Sequence, residues 1–197
     1  GAAVSHIVSG EIFALPGSDL TVTNAGGATP STLVFAPTST TGSRWEGTTI
    51  AAGGRLQIGN NSRGWIGTGP VTTNGDMILN INDAHYVLGN AISGTGNLTT
   101  TRNTVYMTAD NTYQGTTTIG RQTENVGVSL RVGNDTYAGM HGSGTVIVQA
   151  VTGGNSDLRY HLNADTTIPN NITLNANADG TNARSATLLR QGIGNIS

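Results

Sequence analysis

The chain has 197 residues, with 29 glycines, no cysteine, no lysine and only 10% charged residues, which leave a formal net charge of −2. The missing cysteines exclude disulfides and thiolate metal sites, and the weak charge excludes a broad electrostatic surface for nucleic acid or anionic membranes. No apolar run approaches the ~20 residues that span a bilayer. Abundant Gly, Asn and Thr favour turns and strands over helices, so we expect an all-β chain.

Short strings in which apolar and polar residues alternate follow one another along the chain. Each string places two or three apolar side chains on one face of a strand and is bounded by Gly, Asn, Asp or Pro. In chain order the predicted strands are 20–22, 33–35, 56–58, 77–81, 105–107, 130–132, 146–148, 158–162 and 172–174. Strands this short suit the narrow sides of a β-solenoid, in which the chain turns a corner every few residues.

Five sequence blocks occur twice, in the same order. The first copies are WEGTTI (45–50), LQIGN (56–60), GTGPV (67–71), NIND (80–83) and NAISG (90–94); the second copies are YQGTTTIG (113–120), LRVGN (130–134), GSGTV (142–146), HLNAD (161–165) and NNITL (170–174). Such a repeat indicates units that stack and bury their faces against each other. We therefore predict a single β-solenoid segment over 1–197, with its internal repeat at approximately 45–112 and 113–180.

The length of the repeat matches about three coils of ~22 to 25 residues each, which predicts about eight coils for the whole chain. The alternative is an antiparallel β-sandwich, because that fold also has short strands with regularly spaced turn signals. A sandwich, however, does not explain an ordered repeat of this length. The pattern alone does not determine the handedness of the coil.

Several recurring residues have an expected structural role. Gly47, Gly59, Gly115 and Gly133 are predicted at equivalent corners, where a positive φ would require glycine. Trp45 and Tyr113 occupy matched positions in the two copies. An aromatic residue kept in register in this way is expected to pack in the core and not to contact a ligand.

Residues 45–148 carry six blocks in a specific order: LQIGN (56–60), GTGPVT (67–72), NAISGTGNLT (90–99), TADNTYQGTTTIG (108–120), LRVGN (130–134) and GSGTV (142–146). In this combination they resemble the repeat in passenger domains of bacterial type V autotransporters. The resemblance implies a right-handed parallel β-helix that is exported through the outer membrane by a C-terminal barrel. Such passengers mostly serve as adhesins or autoaggregation factors.

We therefore expect a non-catalytic, surface-exposed internal segment of a longer passenger, located at the bacterial cell surface or secreted. Its expected partner is a host surface protein, a glycan or another copy of itself. No cofactor, metal or nucleic acid is expected, nor direct insertion of this segment into a membrane. The expected action is adhesion or cell–cell self-association.

Two other classes of function stay open. A polysaccharide-processing β-helix, of the tailspike or lyase kind, would need two or three carboxylates or an acidic calcium site in one groove, whereas the aspartates here lie mostly in turn signals. A structural spacer would instead present a functional tip elsewhere. The four histidines show no metal-ligand spacing.

The candidate contact residues lie where the two copies disagree. Arg63 and Trp65 belong to NNSRGWIGTG, and Tyr137 and Met140 belong to the matched segment NDTYAGMHGSG. Loops on a rigid scaffold often carry function, and aromatic residues are frequent contact residues. We therefore predict that these loops contact a partner, and we assign no catalytic, cofactor-binding or metal-binding residue.

Overall fold

The computed structural model describes residues 5–10, 12, 15, 17–24, 30–37, 45–133, 141–162, 165, 167–176 and 184–192. Over these residues the chain forms three sheets and no helix. Neighbouring strands within each described sheet are parallel, and each pairs with the strand one turn later. The predicted parallel β-solenoid is thus confirmed, and the antiparallel sandwich is wrong.

Each sheet forms one side of the solenoid. The largest contains β1 (Ser5–Val8), β3 (Thr32–Phe35), β5 (Arg55–Ser62), β7 (Asp76–Ile81), β10 (Asn97–Thr100), β12 (Thr117–Ile119), β14 (Val146–Gln149) and β16 (Ile172–Asn175). A four-stranded sheet contains β2 (Leu20–Val22), β4 (Thr48–Ile50), β6 (Val71–Thr73) and β9 (Ile92–Ser93). A five-stranded sheet contains β8 (Tyr86–Leu88), β11 (Asn103–Met107), β13 (Val128–Val132), β15 (Ser156–Leu162) and β17 (Ala186–Gly192).

The solenoid has about six turns, slightly fewer than the eight predicted. One turn of the solenoid connects each strand of the eight-stranded sheet to the next, so the number of turns is smaller than the number of strands. The advance from one strand to its partner also varies, from 19 residues between Leu98 and Thr117 to 30 residues between Ser156 and Ala186. The corner loops therefore differ in length more than a coil of constant size would allow.

The core consists of columns of inward-facing side chains that stack from turn to turn. The strand register aligns Leu56, Met77 and Leu98, and all three are fully buried. Trp45 and Tyr113 are also buried, with exposed fractions of 1% and 0%. The prediction that these two aromatic residues pack in the core is therefore confirmed.

The corner glycines are required for two different reasons. Gly59 and Gly133 have φ values of 77° and 79°, as predicted. The same prediction is wrong for Gly47 and Gly115, whose φ values are not positive. There a Cβ would collide with the neighbouring turn: on Gly47 it would lie 2.8 Å from Asp19 Oδ1, and on Gly115 it would overlap a backbone carbonyl oxygen.

Matching blocks of the repeat lie in different sheets. The TTI segment of the first copy is β4 in the four-stranded sheet, whereas that of the second copy is β12 in the eight-stranded sheet. The LQI segment lies in β5 of the eight-stranded sheet, and LRV lies in β13 of the five-stranded sheet. The second copy is therefore displaced by one side of the solenoid, which gives it a different outer surface.

Candidate functional site

The predicted contact loops are only partly described. Arg63 is exposed and Trp65 is half-buried, whereas Tyr137 and Met140 lie outside the described residues. The indole Nε1 of Trp65 is buried and has no hydrogen-bond partner among the described residues. Of the four predicted contact residues, the structure thus places two, both in the loop between β5 and β6.

The Trp65 loop lies beside the segment that carries β8. At one end of the loop, the Asn82 amide donates to the Ser62 carbonyl at 2.9 Å. At the other end, Asn90 Nδ2 donates to the Gly67 carbonyl at 2.6 Å. Both ends of the Trp65 loop are therefore joined to the residues that flank β8 on the next turn of the solenoid.

One column of outward-facing residues runs along the five-stranded sheet. Strand pairing aligns Val87, Tyr106, Arg131, Arg159 and Leu189 on successive turns. Their neighbours on either side in β8, β11, β13 and the described part of β15 face the core and are buried. We call these five residues the outer column, and Arg131 and Arg159 the arginine pair.

The middle of the outer column is held by aromatic and cationic contacts. The His85 ring stacks on the Tyr106 ring, with 5.9 Å between centroids and 21° between planes. Arg131 Cζ lies 5.1 Å from the centroid of the Tyr106 ring, and Arg131 Nη1 donates to the Tyr106 hydroxyl at 2.9 Å. A cation over an aromatic ring is stabilised by the ring quadrupole, so Tyr106 fixes the position of Arg131.

The arginine pair has unused hydrogen-bonding capacity. Arg131 Nε is buried without a partner among the described residues. Arg159 Nε lies 3.5 Å from Asp157 Oδ1, which is an ion pair without a hydrogen bond, and the same carboxylate oxygen accepts the Ser129 hydroxyl at 2.8 Å. Asp157 thus forms an ion pair with Arg159 only, and no ion pair to Arg131 is found among the described residues. Like charges placed opposite each other destabilise a sheet, so an anion bound between the arginine pair would relieve this repulsion.

A groove of about 410 Å³ runs beside the outer column. Its lining includes Asn103, Thr104, Ser129, Asn155 and Asp157. Thr104, Ser129 and Asp157 are register partners on three successive turns and lie two residues before the outer column. The groove therefore follows the solenoid axis and is lined mainly by hydroxyl, amide and carboxylate groups.

The matched positions of the first copy form a different surface. When the two copies of the repeat are aligned in sequence, Arg55 matches Ser129 and Gln57 matches Arg131. In the same alignment, Asp76 matches Asp157 and Ile78 matches Arg159. The residues of the first copy lie on the eight-stranded sheet, and those of the second copy lie on the five-stranded sheet. Both copies have the aspartate. The second copy lacks the arginine that pairs with it in the first copy, because Ser129 stands at that position, and it has outward-facing arginines at positions 131 and 159 instead.

Asp76 in the first copy is fully partnered. Arg55 Nη2 and Nε donate to Asp76 Oδ2 at 2.8 and 3.1 Å, and Asn97 Nδ2 donates to Oδ1 at 3.0 Å. Burial raises the pKa of Asp76, but the hydrogen bonds from Asn97 and Arg55 outweigh burial and hold the pKa below its ordinary value. Sequence reasoning missed this ion pair because its two residues are 21 positions apart.

The described aspartates lie on separate parts of the molecule. Asp76 and Asp157 lie on different sheets. Asp83 accepts the His85 amide at 3.2 Å in a turn, and Asp110 lines a cavity of about 290 Å³ beside His141. In the parts of the chain that the structure describes, no group of three or more His, Cys, Asp or Glu residues could hold a metal ion.

A buried histidine was not assigned a role by sequence reasoning. His141 is 2% exposed; its Nδ1 contacts the Gly142 carbonyl at 2.7 Å, and its Nε2 contacts the Tyr160 hydroxyl. Burial lowers the pKa of His141, so the ring is neutral, with Nδ1–H donating to Gly142 and Nε2 accepting from Tyr160. The matched residue of the first copy is the buried Ile66. A histidine at a position where the other copy has an apolar residue was the sequence feature that could have identified His141 as a buried polar residue.

No family model, no curated protein and no solved structure matches this chain. A search of the described residues found no helix that is long and apolar enough to cross a membrane. The function must therefore be inferred from the solenoid fold and from the surface of its five-stranded sheet.

Proposed function

We propose that this chain is a non-catalytic, surface-exposed segment of an autotransporter passenger that acts in adhesion or in self-association between cells. The observation that carries the proposal is the outer column on the five-stranded sheet. It combines an exposed aliphatic residue, an aromatic residue and two arginines in register. Aromatic residues and arginine are enriched at protein contact surfaces.

The solenoid suits this role because it repeats contacts along one axis. Val87 is 57% exposed and Leu189 is 36% exposed, so both ends of the outer column present apolar surface. Contacts of this kind are weak one at a time but add up when many copies are displayed together. The proposed location is the bacterial cell surface, and the proposed partner is a host surface protein, a glycan or another copy.

The positions of the acids favour this proposal over a polysaccharide-processing enzyme. Such an enzyme needs two carboxylates about 5 to 10 Å apart across the bond that it cleaves. Asp76 and Asp157 lie on different sheets, and the Oδ1 atom of Asp157 already accepts the Ser129 hydroxyl. The groove beside the outer column is therefore a better binding surface than a catalytic cleft.

The test is to display the chain on beads or on a non-adherent bacterium and to measure aggregation and adhesion to cultured cells. Val87→Asp places a charge in the outer column and is expected to reduce one of these activities at least fivefold, which corresponds to about 1 kcal/mol per contact. The matched control is Ile7→Asp. Ile7 is 58% exposed and faces outward on the eight-stranded sheet, so its substitution is expected to leave both activities unchanged.

Equal effects of Val87→Asp and Ile7→Asp would show that the five-stranded sheet has no special role and would contradict the proposal. A spacer predicts that neither substitution changes adhesion and that Trp65→Ala and Tyr137→Ala leave the adhesion of the whole protein unchanged. Melting temperatures of all variants separate loss of contact from loss of folding.

A further inference from the structure

Building on the proposed function, we propose that the arginine pair binds the acidic groups of a linear anionic polysaccharide lying along the solenoid axis. The recognised chemistry is a carboxylate or sulfate on successive sugar units. Arg131 and Arg159 hold the charged groups, and the adjoining groove holds the sugar hydroxyls.

The spacing of the arginine pair suits a repeating ligand. Arg131 and Arg159 are direct register partners on neighbouring strands, so their backbones are separated by about 4.8 Å along the axis. Tyr106 extends the same column by one further turn. A polymer that lies parallel to the axis, and so crosses successive strands, can therefore meet Tyr106, Arg131 and Arg159 on three turns, whereas a polymer that runs along one strand would meet only one arginine.

The charge balance favours an acidic ligand over a neutral one. Among the four matched positions, the second copy has Arg131 and Arg159 against Asp157, a surplus of one positive charge, whereas the first copy has Arg55 against Asp76 and is neutral. A planar guanidinium group binds carboxylate and sulfate oxygens through parallel N–H donors. Arg131 and Arg159 are half-buried, and their Nε atoms are buried, so the donors that can reach such a ligand are those on the Nη atoms.

The groove supplies the polar contacts that a sugar chain requires. Thr104 and Ser129 present hydroxyls to the groove. Asn103 Nδ2 donates to Asn82 and Asn155 Oδ1 accepts the Ser185 amide, so Asn103 Oδ1 and Asn155 Nδ2 are the amide atoms that can contact a sugar. Asp157 accepts only one described side-chain hydroxyl, through Oδ1, and its other oxygen can accept from a sugar hydroxyl. The exposed Val87 at the end of the column offers an apolar surface to a sugar ring.

The test measures binding of the purified chain to immobilised heparin, polygalacturonate and dextran, which are sulfated, carboxylated and neutral. Arg131→Gln and Arg159→Ile install the residues found at the matched positions of the first copy, Gln57 and Ile78. Each substitution is expected to weaken binding to the preferred anionic polymer about fivefold, and the double variant about 25-fold. Binding by the unmodified chain is expected to weaken with added salt and to be absent on dextran.

The matched control is Arg121→Gln, which removes the same charge from an exposed arginine that lines a cavity on the eight-stranded sheet. It is expected to bind as the unmodified chain does. If the variants of the arginine pair lose binding to heparin alone, sulfate is the recognised group. If they lose binding to polygalacturonate alone, carboxylate is the recognised group. Equal losses in Arg121→Gln and the pair variants would overturn the proposal, because they would indicate non-specific attraction to net charge.

Failure of the unmodified chain to bind either anionic polymer would also overturn this inference. The adhesion proposal would then still stand if Val87→Asp reduced adhesion and Ile7→Asp did not, and the partner would be a protein or a second copy. Conversely, polymer binding that depends on the arginine pair, without any effect of Val87→Asp on adhesion or aggregation, would contradict the adhesion proposal alone.

Discussion

The two copies of the repeat form the same corner at two different places in the solenoid. In the first copy, Asn90 Nδ2 donates to the carbonyls of both glycines in GTGPV (67–71), at 2.6 and 2.7 Å. In the second copy, Asn170 Nδ2 donates to the carbonyls of both glycines in GSGTV (142–146), at 2.9 and 2.6 Å. One side-chain amide thus joins two turns of the chain in the same way in each copy.

The aromatic residue that begins each copy also has an equivalent role. Trp45 Nε1 donates to Thr48 Oγ1 at 2.9 Å, and the Tyr113 hydroxyl shares a hydrogen bond with Thr117 Oγ1 at 2.6 Å. An indole and a phenol therefore satisfy the same buried threonine position. The feature that the two copies of the repeat share is a local corner structure, which consists of an aromatic residue, glycines and a bridging asparagine.

The matched segments of the two copies lie on different sides of the solenoid. The TTI and LQI segments of the first copy lie in the four-stranded and eight-stranded sheets, whereas the TTI and LRV segments of the second copy lie in the eight-stranded and five-stranded sheets. The aromatic residue, the glycines and the bridging asparagine can stabilise any corner of the solenoid, since the backbone makes a similar turn at each corner. The outward-facing residues depend on the sheet in which they lie, because the strand register of that sheet determines which side chains become neighbours. The arginine pair therefore occurs only in the second copy.

The largest expected effect comes from filling the stacked glycine positions. A Cβ on Gly67 would overlap the Trp45 ring, and a Cβ on Gly142 would overlap the Tyr113 carbonyl oxygen. Gly67→Ala and Gly142→Ala are each expected to lower the free energy of unfolding by about 3 kcal/mol or more, measured by urea denaturation. Gly89→Ala is the control, since the nearest atom would lie at 3.7 Å. A tolerated Gly142→Ala would break the equivalence of the two corners.

A smaller effect is expected from removing the bridging amides. Asn90→Ala leaves the carbonyls of Gly67 and Gly69 without this donor, whereas after Asn170→Ala the Gly142 carbonyl keeps its hydrogen bond from His141 and the Gly144 carbonyl loses its donor. Each substitution is expected to cost about 1 to 2 kcal/mol in the free energy of unfolding. The comparison between them is the informative result. Costs that agree within about 0.5 kcal/mol would support equivalent corners, whereas a neutral Asn170→Ala would show that only the first copy depends on the bridge.

The smallest effect is a pH dependence near neutral pH that arises from His141 in the second copy. Because burial lowers the pKa of His141 below its ordinary value of 6.5, the unfolded chain binds a proton more readily than the folded chain. Stability is therefore complete above about pH 6.5 and is lost as the pH falls through the folded pKa, by at most about 1.4 kcal/mol per pH unit. The neighbouring Tyr113 and Tyr160 stay neutral in this range because burial raises the pKa of both, that of Tyr113 to about 12.

The measurement is the free energy of unfolding at pH 7.5 and pH 5.5 for the unmodified chain and for His141→Ile, which installs the residue found at the matched position 66. The variant is less stable overall because the buried Tyr160 hydroxyl loses its partner. It should nevertheless show a smaller difference between the two pH values. Asp76 titrates in a separate window, since its lowered pKa makes its contribution disappear only below about pH 3.8. An unchanged slope in His141→Ile would rule out His141 as the source.

The alternating strings predicted β5, β7, β13 and β15 because each has two or more apolar residues at period two. They did not predict β4 and β12, which share the sequence TTI: Thr48 and Thr117 face the core and are buried, although threonine reads as polar. The disagreement between the copies drew attention to the loop with Trp65, whose contact with a partner stays a prediction. The arginine pair was not, because Arg131 and Arg159 are 28 residues apart and no sequence period connects them.

The sequence by itself determined the parts of this protein that depend on nearby residues. These are the all-β character, the inward and outward faces of the longer strands, and the repeated corner with its aromatic residue, glycines and asparagine. Only the tertiary structure decided which sheet each copy joins and which outer side chains meet. The physical reason is that register between turns depends on the lengths of the corner loops, which make the advance per turn vary from 19 to 30 residues. Those lengths place Arg131 beside Arg159, and Arg55 beside Asp76.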